Sequence, residues 1–329
     1  MKKVVVIGGG TGTFTVLSSL KSKGYDLTVL LTMADDGGSN RVLRDEFGLL
    51  PTSGIRLALV ALSSQPSLLR ELFTYRFHKG SGISGMTFGN LFLAAVADIV
   101  GSQEKAIEST SELLSVNGKI MPISYDDIKL VAQYENGLKV IGEHAIDEPE
   151  HGGKLRITDL SSEPIAKINP KAEEEILEAE YIILGPGDFY TNTVANLIVE
   201  GVVSAIMKSK ARLIFVINLM TKQSEAYNYK ASDYLEDLKK YMPLERINTI
   251  LINDDLAYPE TALKKYEEED SRPVKDDLDT HILPENIKVE RKPIILKKET
   301  RTQKGDLMKR AMIRHSQKKL GQELANIMS

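Results

Sequence analysis

The chain contains no cysteine. Disulfides, thiolate metal sites and a cysteine nucleophile are therefore excluded. This fits a reducing compartment, and the cytoplasm is the expected location. An excess of positive charge is missing too. Lys and Arg number 42 against 46 Asp and Glu, a formal net charge of −4, which argues against nucleic acid as a partner. Long apolar runs are lacking near the start. After Met1-Lys2-Lys3 come only four apolar residues, Val4–Ile7, too few for a signal peptide or a membrane span. No stable membrane insertion is expected. What remains is an ordinary globular balance, 42% hydrophobic and 27% charged over 329 residues, enough for one large α/β domain or two smaller ones.

The β-branched run Val4–Ile7 ends in glycines, as a buried parallel strand does. Thr11–Leu20 has helical periodicity and stops at Gly24, and Leu27–Thr32 reads as a second buried strand. Met33–Asn40 is then a loop. Arg41–Phe47, Ile55–Leu62, Pro66–Phe77, Phe88–Val100 and Gln103–Leu114 read as helices, with Pro66 in a first turn. The rhythm changes over residues 117–168, where Ile128–Tyr134 and Leu138–Ile141 flank an Asn136-Gly137 hairpin signal and Leu155–Asp159 is a further strand. A small β-rich insertion is expected there. A helix from Asn169-Pro170, buried strands at Tyr181–Leu184, Leu213–Ile217 and Thr249–Ile252, an exposed loop over Glu267–Thr280 and a late strand at Ile294–Leu296 follow. Residues 304–327 read as a basic amphipathic helix, serving packing or assembly. The fold expected is α/β: a single Rossmann-like domain over 1–329, with a three-layer parallel sheet and helices on both faces.

Gly8-Gly9-Gly10-Thr11-Gly12 lies where the first strand meets the first helix. Such a turn lets backbone approach a phosphate, and the helix N-terminus offers N–H donors with partial positive charge. Position 13 is Thr, so Gly-x-Gly-x-x-Gly fails, and no Gly-Lys-Ser/Thr follows. Gly9, Gly10, Thr11 and Gly12 are candidate ligand contacts. Asp35, Asp36 and Ser39 lie in the loop after the second strand. The two carboxylates could recognise a ribose, hold Mg2+ against a phosphate or act as a base. Equally, the segment could be an Asp-Gly turn with a helix cap at Ser39 or Asn40. Gly185–Thr191 offers a second strand-to-helix turn with Gly187, Asp188 and Tyr190 as candidates. Asn218 and Thr221 end another strand and offer neutral hydrogen bonds. Asn90 opens an apolar helix, and Arg56 could grip a phosphate or simply lie on a helix surface. His78, His144, His151 and His281 lack ligand spacing and read as solvated.

Several separated motifs together resemble the YvcK family of gluconeogenesis factors. They are Gly8–Gly12, Ala34–Ser39, Leu43–Gly48, Gly89-Asn90-Leu91, Leu184–Thr191 with Asn196-Leu197, Asn218–Thr221, Ala231-Ser232-Asp233 and Lys265-Tyr266-Glu267. The related branch is the CofD family of 2-phospho-lactate transferases. The resemblance implies a UDP-sugar-binding protein, for UDP-N-acetylglucosamine or UDP-glucose, that supports cell shape and wall synthesis during gluconeogenic growth without established catalysis. It places ligand contacts on Tyr266 and Arg314, and related folds imply a homodimer. The chain departs from the family at Pro51-Thr52-Ser53-Gly54, where Pro-Pro-Gly-Asp is usual and Arg56 is kept. It departs again at Gly85-Met86, where Gly-His is usual, and at Ser316-Gln317, where Asp-Pro follows the Arg-His pair. The alternative is a CofD-like phospho-lactyl transferase, which would need Mg2+, and Asp35 and Asp36 are then its metal candidates. An NAD-dependent dehydrogenase rests on the opening β-α-β alone, and the missing third glycine counts against it.

Overall fold

The computed structural model describes residues 1–65, 67–297 and 312–329. Seven strands form one parallel sheet in the order β10-β9-β8-β7-β1-β2-β3. In chain order they are β1 (Lys3–Gly8), β2 (Asp26–Leu31), β3 (Lys119–Pro122), then β7 (Tyr181–Leu184), β8 (Arg212–Val216), β9 (Ile247–Asn253) and β10 (Lys288–Lys292). Between them, β4 (Lys129–Tyr134), β5 (Lys139–Ile141) and β6 (Ile157–Glu163) make a small antiparallel sheet.

The continuous apolar runs follow from burial on both faces. Val4 and Val6 of β1 point to one side, where they pack with Val16, Leu17, Leu59 and Leu320. Val5 and Ile7 point to the other, among Ile176, Ala205, Leu235 and the small sheet's Leu130 and Leu160. Each such fully buried side chain contributes roughly 1.5–3 kcal/mol. The first layer holds the helices Gly10–Leu20, Ser53–Leu62 and Gln317–Ile327; the second holds Pro170–Glu178, Val202–Lys208 and Ala231–Leu238. Among the described residues no helix is long and apolar enough to cross a membrane.

Several boundaries differ from the sequence expectation. The first strand of the 117–168 segment, β3, pairs with β2 in the large sheet, so the small sheet begins only at Lys129. Its third strand is Ile157–Glu163 rather than Leu155–Asp159. The last strand is the charged Lys288–Lys292, not Ile294–Leu296. Among the described residues it borders β9 alone, so it tolerates polar side chains. Ile295 instead makes an isolated bridge with His315. The terminal helix starts at Gln317, because the Ser316 hydroxyl accepts the Lys319 amide as an N-cap. Residues 304–311 of the expected helix, like Pro66, lie outside the described residues. The stretch Glu267–Thr280 is less exposed than its composition suggests, since Ser271 and Leu278 are buried.

Candidate functional site

β1 and β7 are neighbours, yet β1 leads on to β2 on one side while β7 leads to β8 on the other. The chain therefore reverses between them, and the region beyond their carboxyl ends is the switch point at which such sheets take ligands. Two turns line it, Gly8–Gly12 after β1 and Gly185–Asp188 after β7. They are packed against each other. A Cβ on Gly12 would lie 2.1 Å from the Pro186 carbonyl oxygen, and one on Gly9 would lie 2.1 Å from Asn192 Oδ1. Gly10 has φ +63°, a conformation that disfavours any other residue. Asn196 Nδ2 donates to the Gly8 carbonyl at 3.2 Å, and Asn218 Nδ2 donates to the Gly187 carbonyl at 2.7 Å. The glycines thus serve loop-to-loop contact as well as any ligand. The helix Gly10–Leu20 has no side-chain cap and no acidic residue in its first turn. Half-buried Thr11 lies in that turn. Beside it the Thr13 and Thr32 hydroxyls are buried with no partner among the described residues.

The acidic loop after β2 holds its own architecture together. Asp35 Oδ1 accepts the Gly37 amide at 3.0 Å, closing an Asp-Gly turn. Burial raises the Asp35 carboxyl, and the Asp36 charge adds to the rise. Asp36 Oδ1 accepts the His144 amide at 2.8 Å, tying the loop to the short helix Glu143–Asp147 of the insertion. Neither Ser39 nor Asn40 is the cap of the helix that follows, which runs Gly38–Phe47 with Gly37 before it. Asn40 instead accepts the Thr52 and Ser53 amides, at 3.1 and 3.3 Å, at the start of the helix Ser53–Leu62.

The second turn is where the expectation needs most correction. Its N-terminus is not an open anion site. The amides of Tyr190 and Thr191 donate to Glu225 Oε2 at 2.8 and 3.1 Å, and the Thr191 hydroxyl donates to Oε1 at 2.7 Å. A fully buried carboxylate of the protein fills the position. Tyr190 points away from the crevice into the core. It is fully buried, with its hydroxyl 2.8 Å from Asp237 Oδ2 and 2.9 Å from the Ile157 carbonyl. Asp188 does face the crevice, and its Oδ2 accepts from Lys222 Nζ at 2.9 Å. Limited access of water and the adjoining Glu225 charge push Asp188 upward, an effect moderated because 40% of its side chain stays exposed. Glu143 is raised as well, first by burial and then by Asp35.

Arg56 and Asn90 meet each other: Arg56 Nε donates to Asn90 Oδ1 at 2.9 Å, and both are buried where the helices Ser53–Leu62 and Phe88–Val100 face each other. Asn90 Nδ2 in turn donates to Ser53 Oγ at 3.3 Å. Thr221 is buried, and its hydroxyl accepts the Arg272 amide at 2.9 Å. Tyr266 is half-buried beside Leu219, Met220 and Ile313, just past β8. Burial raises its hydroxyl and the Glu269 charge adds to the rise, while hydrogen bonds with the Ile313 and Met312 backbone and the Arg314 charge pull the other way. Sequence reasoning missed Glu143, Asp147, Asn192, Lys222 and Glu225. Only the proximity of Lys222 and Glu225 to the Asn218–Thr221 motif signalled any of them.

With the geometry in view, comparison with known proteins is informative. A family model described as 2-phospho-L-lactate transferase CofD matches residues 4–295. The gluconeogenesis factor of Bacillus subtilis is 38% identical over 277 residues, covering 84% of this chain and 86% of that protein. The chain belongs to the YvcK branch of the CofD family. A Thermoanaerobacterium thermosulfurigenes relative, provisionally given the same name, is 36% identical over 327 residues, 99% of this chain and 97% of that one. A Nostoc relative is 40% identical over 273 residues, but the match spans only 59% of its length. The crystal structure of a Bacillus halodurans protein superimposes with a TM-score of 0.88 at 33% identity, covering 98% and 99% of the two chains. The positions that depart from the YvcK pattern have structural roles here. Thr52 and Ser53 bind Asn40. Met86 packs with Leu43 and Ala94 in an apolar cluster. Ser316 caps the last helix.

Proposed function

We propose that this protein is a cytoplasmic regulator that binds a UDP-sugar, UDP-N-acetylglucosamine or UDP-glucose, in the crevice between the β1 and β7 turns. The carrying observation is the contrast between two helix starts. The N-terminus at Gly10 has no side-chain cap and no acid in its first turn, whereas the one at Phe189 is filled by Glu225. An uncapped N-terminus at a topological switch point suits a diphosphate. Asn218 at the rim and the Tyr266–Arg314 pair beyond β8 offer neutral and cationic contacts for the rest of the ligand. The relatives' name, gluconeogenesis factor, supports a role during gluconeogenic growth; support of wall synthesis and cell shape, and a homodimeric assembly, are part of the proposal. The transferase alternative is less favoured. Asp35 and Asp36, its metal candidates, each already hold a backbone amide and so first serve the loop's own architecture, although each keeps a second oxygen.

Calorimetric titration of UDP-N-acetylglucosamine tests this, with UDP-glucose, GDP and NAD as comparators and with or without Mg2+. Saturable UDP-sugar binding without release of a nucleotide monophosphate is expected. Ligand at a hundredfold its Kd should add about 2.7 kcal/mol of stability. Absence of UDP-sugar binding, together with Mg2+-dependent GDP binding, would move the assignment to the transferase.

A further inference from the structure

Three carboxylates from separate parts of the chain converge beside the crevice. Asp147 comes from the insertion, Asp188 from the turn after β7 and Glu225 from the segment after β8, and their oxygens lie within 4.8 Å of one another. Oxygen donors so gathered are what a hard divalent cation takes. The transferase family implies such a cation, so the fit of these residues is a direct question. The answer lies in Lys222. Its Nζ is 2.9 Å from Asp188 Oδ2 and 3.5 Å from Glu225 Oε1, and it contacts Asp147 Oδ1 as well. An ammonium has three N–H donors, and here three carboxylates surround it. A metal ion bound at about 2.1–2.5 Å from the same oxygens would need the same space.

Glu225 adds a second reason for misfit. Its Oε2 already accepts two backbone amides and its Oε1 a hydroxyl. With Lys222 facing Oε1 no lone pair is left for a metal, whereas without Lys222 one on Oε1 becomes available. The Asp35–Asp36 pair is no equivalent cluster: each carboxylate holds a backbone amide, and no such group of three acids includes them among the described residues.

We propose that the Lys222 ammonium stands in this chain where a divalent cation would otherwise sit, making the crevice a metal-free site with a built-in cation. With its N–H donors committed to three carboxylates, Lys222 neutralises the cluster rather than presenting a free donor to a ligand, and the replacement of metal by lysine does not depend on the UDP-sugar reading. Lys222 is thus a specificity residue for cation independence.

The test is Mn2+ binding to the full chain near neutral pH, followed by electron paramagnetic resonance, with no nucleotide present. Wild type and Lys222→Arg should show no saturable site. Lys222→Met should gain one, and Lys222→Met combined with Asp147→Asn should lose it. Wild type binding Mn2+ as tightly as Lys222→Met would overturn the proposal. A folded Lys222→Met that binds no Mn2+ would overturn it equally. Should Lys222→Met lack a melting transition without metal, its restoration by Mg2+ supports the proposal, and failure to restore it counts against. These outcomes are independent of whether a UDP-sugar binds.

Discussion

Removing the Glu225 carboxylate should separate a structural anchor from a ligand contact. In the folded protein this group receives the amides of Tyr190 and Thr191 and the Thr191 hydroxyl, all at 3.1 Å or less, and none of its side chain reaches water. A hydrogen bond to a charged group contributes about 1.5–3 kcal/mol, and a buried donor left without a partner costs about 1–3 kcal/mol. These terms overlap, so Glu225→Ala should lose roughly 3–5 kcal/mol, including the small cavity it opens. Glu225→Gln keeps an oxygen for the two amides and places an NH2 where the Thr191 hydroxyl can accept. It forfeits the charge and the attraction to Lys222, and should lose only about 1 kcal/mol. Urea unfolding followed by circular dichroism and tyrosine fluorescence measures both, provided the two probes coincide and the slope with denaturant is unchanged. Glu225→Ala within about 1 kcal/mol of wild type, or Gln as damaging as Ala, would refute the reasoning.

Gly12→Ala drives a methyl to 2.1 Å from the Pro186 carbonyl. It should cost roughly 3 kcal/mol and abolish UDP-sugar binding, whereas Gly10→Ala meets only ordinary contacts and should cost about 1–2 kcal/mol for its left-handed backbone; urea unfolding and titration read both. Tyr190→Phe should lose about 1–3 kcal/mol of stability while changing the UDP-sugar Kd less than about twofold. His315 is buried, and burial lowers its pKa to about 4 from the ordinary 6.5, with the Ile217 backbone opposing. The unfolded chain therefore takes up a proton that the fold resists. Stability should drop between pH 6.5 and about 4, by on the order of 3 kcal/mol, and level off below. The raised carboxyls of Asp35, Glu143 and Asp188 act in the opposite sense. The difference between the wild-type and His315→Gln stability profiles isolates the histidine, and parallel profiles would contradict it.

The central strands were legible because burial on both faces leaves little room for polar residues, so β1 and β7 appear as unbroken apolar runs. The helix start at Pro170 was legible for a local reason, since the Asn169 side chain accepts the Lys171 amide. The strand β10 was not, because a sheet edge relaxes the demand for apolar side chains and the neighbouring Ile294-Ile295 looked more strand-like. The strand β3 was hidden by its place in the chain: only tertiary pairing assigns it to β2 rather than to the insertion that follows.

The same distinction divides the site. The glycine turn is a local device, visible in five residues. The cluster of Asp147, Asp188, Lys222 and Glu225 exists only because the insertion and two loops after β7 and β8 converge. Tyr190 shows a further limit. Its motif was recognised, but the phase of the π-helical turn Phe189–Val194 sends the ring into the core. Arg56 and Asn90 each suit a ligand by residue type alone, and nothing in either residue's sequence surroundings announces their mutual hydrogen bond.

The most direct test of the account is backbone amide hydrogen exchange, read by mass spectrometry, with and without saturating UDP-N-acetylglucosamine. The account predicts slowed exchange in the peptides spanning Gly8–Gly12 and Gly185–Gly187, and little change in the small sheet's β4 and β6. Saturable binding that leaves both turns unprotected would contradict it.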